Sequence, residues 1–386
     1  MTALTVVAYN VLFGDAILIS IPDYDGRETV MRHVLIDVGN VLGGPRSNAA
    51  VFRSIIADIN RRLDGRPIDL YVMTHEHMDH VQGLWRAKMD GQQLPEIDYA
   101  WLTASASKNY YKQFPQADKQ RRLHLEAYDR VQRIALHRGI AGLAPVKAFL
   151  DNNDPIRTHD CVTFLRTRAR KKTSYVHRGF TPVAGKTHPF SEVKFSIWAP
   201  EHDTSSYYGR MRPVPPPTEP GQELKAPDGV EQEAFNALLE FSRTGLGDEM
   251  LAIDRAANNT SVVFTIEWRG WRLLFCGDAE VRSWRTMERE KQLRPVHFVK
   301  VGHHASHNGT PHEDLLERIL PVRRPDSRRR TALVSTCDGT YNGVPDDDTL
   351  ARLERRVDEL IQTKRVPVGL AVEIPFEDQS DMPVTD

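Results

Sequence analysis

The apolar and polar positions open with three short β-rich runs, Leu4 to Ala8, Ala16 to Ile21 and Val34 to Ile36, broken by Gly14-Asp15 and by the turn-forming Asp23-Tyr24-Asp25-Gly26. Such runs between turn residues predict an antiparallel meander. From Asn48 to Leu63 the period changes, with Val51, Ile55, Ile56, Ile59 and Leu63 at helical spacing, and Pro67 then leads into the apolar run Leu70 to Met73. Strand, helix, strand is an α/β unit. A helix after Gly83, a strand at Tyr99 to Thr103 and a long amphipathic helix from Ala117 to Arg138 follow, with His124 and His137 read as solvated helix residues. Cys161 to Arg170 alternates, which predicts a strand with Arg166, Arg168 and Arg170 on one face.

Further along, Val193 to Ala199, Asn258 to Ile266, Trp271 to Cys276, Val296 to Val301, Thr331 to Ser335 and Val366 to Ile374 read as strands, and Asp347 to Leu360 as a helix. Between residues 205 and 255 the composition shifts, with Pro213 to Pro217 and Pro220-Gly221 as stiff loop and Glu231 to Arg243 as a helix. This reads as an insertion on one domain spanning 1–375, followed by an acidic tail at 376–386.

Charge adds little at the global level. The 51 Lys+Arg balance 52 Asp+Glu, so any attraction to nucleic acid must come from local patches. Two basic clusters offer one: Arg166 to Lys172, equally readable as a solvated edge strand, and Arg323 to Arg330. Three widely spaced cysteines, Cys161, Cys276 and Cys337, argue for reduced thiols and against a disulfide framework or a CxxC site. No stretch approaches the roughly 20 apolar residues of a membrane helix, and the first 21 residues lack the basic leader of a signal peptide. The expectation is a cytoplasmic protein without a membrane partner.

The chemistry concentrates where the run Leu70 to Met73 ends. His75, His77, Asp79 and His80 stand within six residues, a density that asks for an ion to neutralise it. His75 and His77, two apart on extended backbone, point to one side and can share an ion; Asp79 and His80 reach a second one beside it. Imidazole with carboxylate suits zinc, with manganese or iron as alternatives. Other strand ends carry Asp37, then Gly277-Asp278, where a carboxylate can bridge two ions, then Gly302-His303-His304-Ala305-Ser306-His307.

The His75-Glu76-His77-Met78-Asp79-His80 signature, with Phe13-Gly14-Asp15-Ala16, Leu35-Ile36-Asp37-Val38-Gly39, Asn258-Asn259-Thr260-Ser261, Leu274 to Glu280 and Lys300-Val301-Gly302-His303-His304-Ala305-Ser306, resembles the metallo-β-lactamase superfamily. The pattern is most similar to the soluble hydrolase domain of bacterial DNA-uptake (competence) channel proteins and its free-standing relatives. The resemblance implies an α/β fold, a four-layer αββα sandwich holding two divalent ions, Zn2+ or Mn2+. It places His75 and His77 at the first ion, Asp79 and His80 at the second, Asp278 between them, and one of His303 and His304, with His303 favoured, as the last ligand of the second site. His202, after Ala199-Pro200, is the expected third histidine of the first site, with His177 and His188 as alternatives. Asp79, His304 and Ser306 are the catalytic candidates, while His307 reads as a surface residue.

Two close cations make hydroxide available at neutral pH and hold the leaving oxygen, so no side-chain nucleophile is required. The implied activity is a phosphodiesterase or nuclease, with nucleic acid held by Arg166 to Lys172 and Arg323 to Arg330. The alternatives are hydrolysis of a small ester, lactone or thioester, and a subunit gated by a protein partner.

Overall fold

The computed structural model describes residues 3–41, 48–137, 139, 142, 144–207, 246–337 and 343–381. The expected insertion helix at 231–243 and the proline-rich loop at 213–221 lie outside them.

Strands β1 (Ala3–Tyr9), β2 (Ala16–Tyr24) and β3 (Thr29–Val38) form the antiparallel meander. Helix α1 (Asn48–Leu63) then crosses over to β4 (Ile68–Met73), parallel to β3, and α2 (Met78–Met89) crosses to β5 (Ile97–Thr103). After α3 (Tyr110–Gln113), α4 (Pro115–His137), α5 (Ala144–Asn152) and α6 (Pro155–Arg166), β6 (Ala169–Val176) extends the same sheet.

The second sheet begins with β7 (Lys194–Ala199), followed by α7 (Leu246–Asn258), β8 (Val263–Trp268) and β9 (Trp271–Phe275). Helix α8 (Val281–Arg289), β10 (Phe298–Lys300), α9 (Glu313–Ile319), β11 (Thr331–Val334), α10 (Asp347–Glu354) and β12 (Glu359–Gln362) complete it in parallel. The last strand, β13 (Ala371–Glu377), returns to pair antiparallel with β1. The orders are β13-β1-β2-β3-β4-β5-β6 and β12-β11-β10-β9-β8-β7.

Three apolar clusters define the layers. Between the sheets Val6, Ile19, Val72 and Trp101 pack against Phe264, Phe275 and Phe298. Outside the first sheet Phe52, Ile55, Val81, Leu84 and Cys161 bring in α1, α2 and α6; outside the second, Trp284, Met287, Leu315 and Leu353 bring in α8, α9 and α10. Each sheet is thus apolar on both faces, which its parallel, helix-covered strands require. The architecture is the expected four-layer αββα sandwich.

Several elements depart from the sequence expectation. The alternation at Cys161 to Arg170 is a helix as far as Arg166, because Asp154 caps it, its carboxylate accepting from the Ile156 and Arg157 amides, and Pro155 fills the first helical position. Arg166, Arg168 and Arg170 therefore do not share a strand face. Helix α10 stops at Glu354, and what read as its last turn is β12. His124 is buried rather than solvated, because α4 packs Ala127, Tyr128 and Val131 against Phe149 of α5 and Ile253 of α7; burial pushes its imidazole down to about 4. Among the described residues no helix is long and apolar enough to cross a membrane.

Candidate metal centre

All six residues of β4 are buried, and its continuation is pinned between the sheets where the Val262 amide donates to the Thr74 carbonyl at 2.9 Å. The chain then bends at Glu76, and His77, extended at φ −94° and ψ 152°, is the residue from which α2 starts. This local path turns four polar side chains inward at one edge of the sandwich.

Four groups of potential ligands form among the described residues; Asp15, Asp37 and His80 make one and Asp254, Glu280 and His303 another, and the other two share Asp79. His75 Nε2 lies 3.1 Å from His77 Nδ1, and together with Asp79 they bring one ligand atom each within 4.8 Å of one another. The second group is Asp79, His80, Asp278 and His304. His80 Nε2 is 3.3 Å from Asp278 Oδ2 and 3.8 Å from Asp79 Oδ1; His304 Nε2 is 3.2 Å from Asp79 Oδ2 and 3.4 Å from Asp278 Oδ2. Asp79 is common to both groups, whereas Asp278, expected between the two ions, falls in the second alone.

The surrounding shell orients these rings. Asp37 accepts His80 Nδ1–H at 2.8 Å, the Thr74 amide at 2.8 Å and the Thr74 hydroxyl at 2.6 Å, leaving His80 Nε2 to face the carboxylates. His304 Nδ1–H donates to the Ser335 carbonyl at 2.7 Å, with the same effect on its Nε2. This is the pattern that fixes the tautomer of a metal-ligating histidine. Gly39 makes it sterically possible: a Cβ there would stand 2.3 Å from the Asp79 carbonyl carbon. The amide of Asp278 donates to Ser261 Oγ at 3.0 Å, across a Gly277 held at φ +51°.

Charge argues in the same direction. Asp15, Asp37, Asp79 and Asp278 are buried with one lysine or arginine among the described residues beside them, Lys300, whose Nζ is 2.5 Å from Asp15 and 3.9 Å from Asp278. Burial alone would raise the Asp79 and Asp278 carboxyls, but attraction from His80 and His304 holds both below the usual carboxylate range. Conversely, burial would lower His80 and His304, and the facing carboxylates raise both, His304 to about 9. The protein alone thus draws protons onto imidazoles to supply positive charge that divalent cations would supply instead. His77 Nε2, Asp79 Oδ1 and His80 Nε2 are buried without a hydrogen-bond partner among the described residues. Orphaned donors and acceptors at such a site fit a metal centre.

Of the two histidines, the geometry brings the less favoured one to the carboxylate pair. His304, not His303, joins Asp79 and Asp278, because residues 303, 304 and 305 all take left-handed φ (47°, 53° and 62°) and the turn swings the second imidazole inward. His303 instead meets Glu280 Oε1 at 3.4 Å and Asp254 Oδ2 at 3.8 Å, with Ser306 Oγ 3.0 Å from its Nδ1. Ser306 therefore accompanies His303 rather than the carboxylate pair. His307 is exposed, as expected.

His202 joins neither group. Exposed, it stacks on His177 with ring centroids 4.0 Å apart, and its carbonyl accepts from Tyr110. His188 is buried in aromatic core against Trp101 and Phe195, where burial pushes it down to about 4. None of the three sits in a metal-ligand grouping among the described residues. Sequence reasoning missed Asp254, 3.9 Å from His77 Nε2, whose i, i+4 partner Asn258 was its available signal. It also missed the Asp15–Lys300 pair and Asn152, whose side-chain carbonyl accepts the Asp79 amide at 3.0 Å.

The basic clusters are neutralised in part. Arg170 pairs with Asp98 and Glu96, Lys171 with Asp98, Arg324 with Asp358 through two 2.8 Å contacts, and Arg328 with Asp326 at 2.7 Å. Arg330 is buried and donates to the Pro321 carbonyl.

No family model matches the chain, and no curated protein does. Among solved structures the chain is similar to the metallo-beta-lactamase fold protein YhfI from Bacillus subtilis, at TM-score 0.40 and 8% identity over 96% of this chain and 100% of that one. A likeness of that degree carries no argument about the site, which rests on its own geometry. That geometry is a buried His/Asp cluster able to hold divalent ions and is suited to metal-dependent hydrolysis.

Proposed function

We propose that the protein is a dinuclear metal-dependent phosphodiesterase whose substrate is nucleic acid or a nucleotide. The observation that carries this reading is the pair of buried ligand groups joined through Asp79. His75, His77 and Asp79 would hold one ion, and Asp79, His80, Asp278 and His304 the other, with zinc favoured by the imidazole-rich set. Such ions lower the pKa of water and polarise the phosphoryl group, so no side-chain nucleophile is needed.

The chain's own contribution is orientation and charge. Asp37 and the Ser335 carbonyl fix which nitrogen His80 and His304 present, and Lys300 tempers the negative charge behind Asp278. His303 stands outside the two groups joined through Asp79, in a separate one with Asp254 and Glu280; with one side of its ring against Ser306 and a partly exposed imidazole, it is placed to pass a proton to a leaving oxygen. The motif likeness to hydrolase domains of DNA-uptake channels supports the substrate class. The pairing of Arg170, Lys171, Arg324 and Arg328 with carboxylates favours short substrates over a long duplex tracked along its backbone.

The test is cleavage of fluorescent single-stranded DNA, RNA and bis(p-nitrophenyl) phosphate with zinc or manganese supplied. Cleavage of at least one, lost in Asp79→Asn, is expected. Turnover of thioester or lactone substrates with none of the diesters would overturn the reading.

A further inference from the structure

Beside His77, helices α4, α6 and α7 enclose a cavity of about 160 Å³. Glu76 and His77 of the ligand loop line it, with Tyr111, Arg121, Tyr128 and Arg166. Glu76 is its single carboxylate among the described residues, and its Oε1 accepts the Ser105 hydroxyl at 2.9 Å. The two arginines differ from the others near the site. Neither has a carboxylate within ion-pair distance among the described residues, whereas Arg157, Arg170 and Arg255 all do. The Arg121 guanidinium lies over the Tyr111 ring at 4.7 Å. Arg166 donates through Nε to the Ala106 carbonyl at 2.5 Å, which fixes the plane of its fork.

Two uncompensated guanidinium groups lining one half-enclosed cavity favour an anion, and their fork geometry matches phosphate. The position beside a ligand histidine makes that anion part of the substrate.

The geometry points to a phosphate subsite: this cavity takes a phosphate of the substrate other than the one attacked, through Arg121 and Arg166, so that the enzyme acts at the phosphorylated end of a nucleotide or short oligonucleotide. The assignment rests on the phosphodiesterase reading. It is tested without catalysis, by fluorescence anisotropy in EDTA, using trithymidylate carrying a 3′ fluorescein with or without a 5′ phosphate.

Wild type should bind the phosphorylated probe about tenfold or more tightly than the other, the scale of a charged hydrogen bond. Arg121→Gln/Arg166→Gln should bind both equally, with affinity for the unphosphorylated probe unchanged. Arg166→Lys, which keeps the charge and can still reach Ala106, should retain part of the discrimination; should the double variant fail to fold, Arg121→Gln alone should show a partial loss. Equal binding by wild type, or discrimination that survives in a folded double variant, overturns the subsite. Phosphate discrimination without diester cleavage by metal-loaded wild type removes the phosphodiesterase reading; cleavage without discrimination removes the subsite alone.

Discussion

Replacing Lys300 by methionine tests whether the cation behind the metal ligands holds the site together. Its Nζ is 2.5 Å from Asp15, and the two residues are 1% and 2% exposed, so the substitution strands a carboxylate where water cannot reach it. Breaking a buried pair from one side costs about 3–5 kcal/mol. At about 2.1 cal/mol/K per residue, 386 residues give an unfolding entropy of about 0.8 kcal/mol/K, so the loss corresponds to about 4–6 °C in Tm. Asp15→Asn/Lys300→Met should recover most of it, because the stranded charge is gone while the side chain that accepts the Ser335 hydroxyl keeps its shape. Calorimetry in EDTA keeps metal binding out of the comparison. Burial would lower the Lys300 ammonium, but Asp15 and Asp278 raise it above its ordinary 10.5, so this contribution is complete below pH 10.5 and lost only above the folded value. A loss under 1 kcal/mol, or a double variant no more stable than Lys300→Met, refutes the reasoning.

Three other outcomes follow from the same geometry. Asp37→Asn should weaken zinc affinity about 10- to 100-fold in chelator competition while the fold persists, because His80 loses the carboxylate that orients its ring. Gly39→Ala should destabilise by about 1–3 kcal/mol in urea and lower bound metal as well, since its Cβ meets the backbone of Asp79 and His80; an unchanged metal content would separate the loop from the site. His188, pushed from 6.5 to about 4 by burial, stays neutral in the folded chain while the unfolded chain takes up its proton, so stability should fall as pH drops from 6.5 towards 4. His188→Gln should flatten that part of the profile, and an identical slope would remove His188 from the account.

Where the sequence was readable, local rules and tertiary structure agreed. The meander, the α/β crossovers and the crowding of His75, His77, Asp79 and His80 at a strand end all follow from period and composition. Neighbours in space were harder. Nothing in Gly302-His303-His304-Ala305 announces three successive left-handed residues, a conformation costing of order 1–3 kcal/mol each that packing must impose. Arg170 and Lys171 read as a phosphate surface because their neutraliser, Asp98, is more than 70 positions earlier and reaches them only through the β5–β6 pairing. The strand assigned from Cys161 failed for a local reason, since Asp154-Pro155 was a legible helix start. Asp254 was hidden by its place at the edge of a segment read as an insertion.

The central claim is that the two histidine–aspartate groups each hold a cation. Elemental analysis of wild type, His304→Ala and His303→Ala, each dialysed against metal-free buffer after zinc loading, tests it most directly. The account predicts two ions per chain in wild type and in His303→Ala, and one in His304→Ala. Metal-free wild type, or loss of an ion from His303→Ala with both retained in His304→Ala, would contradict it.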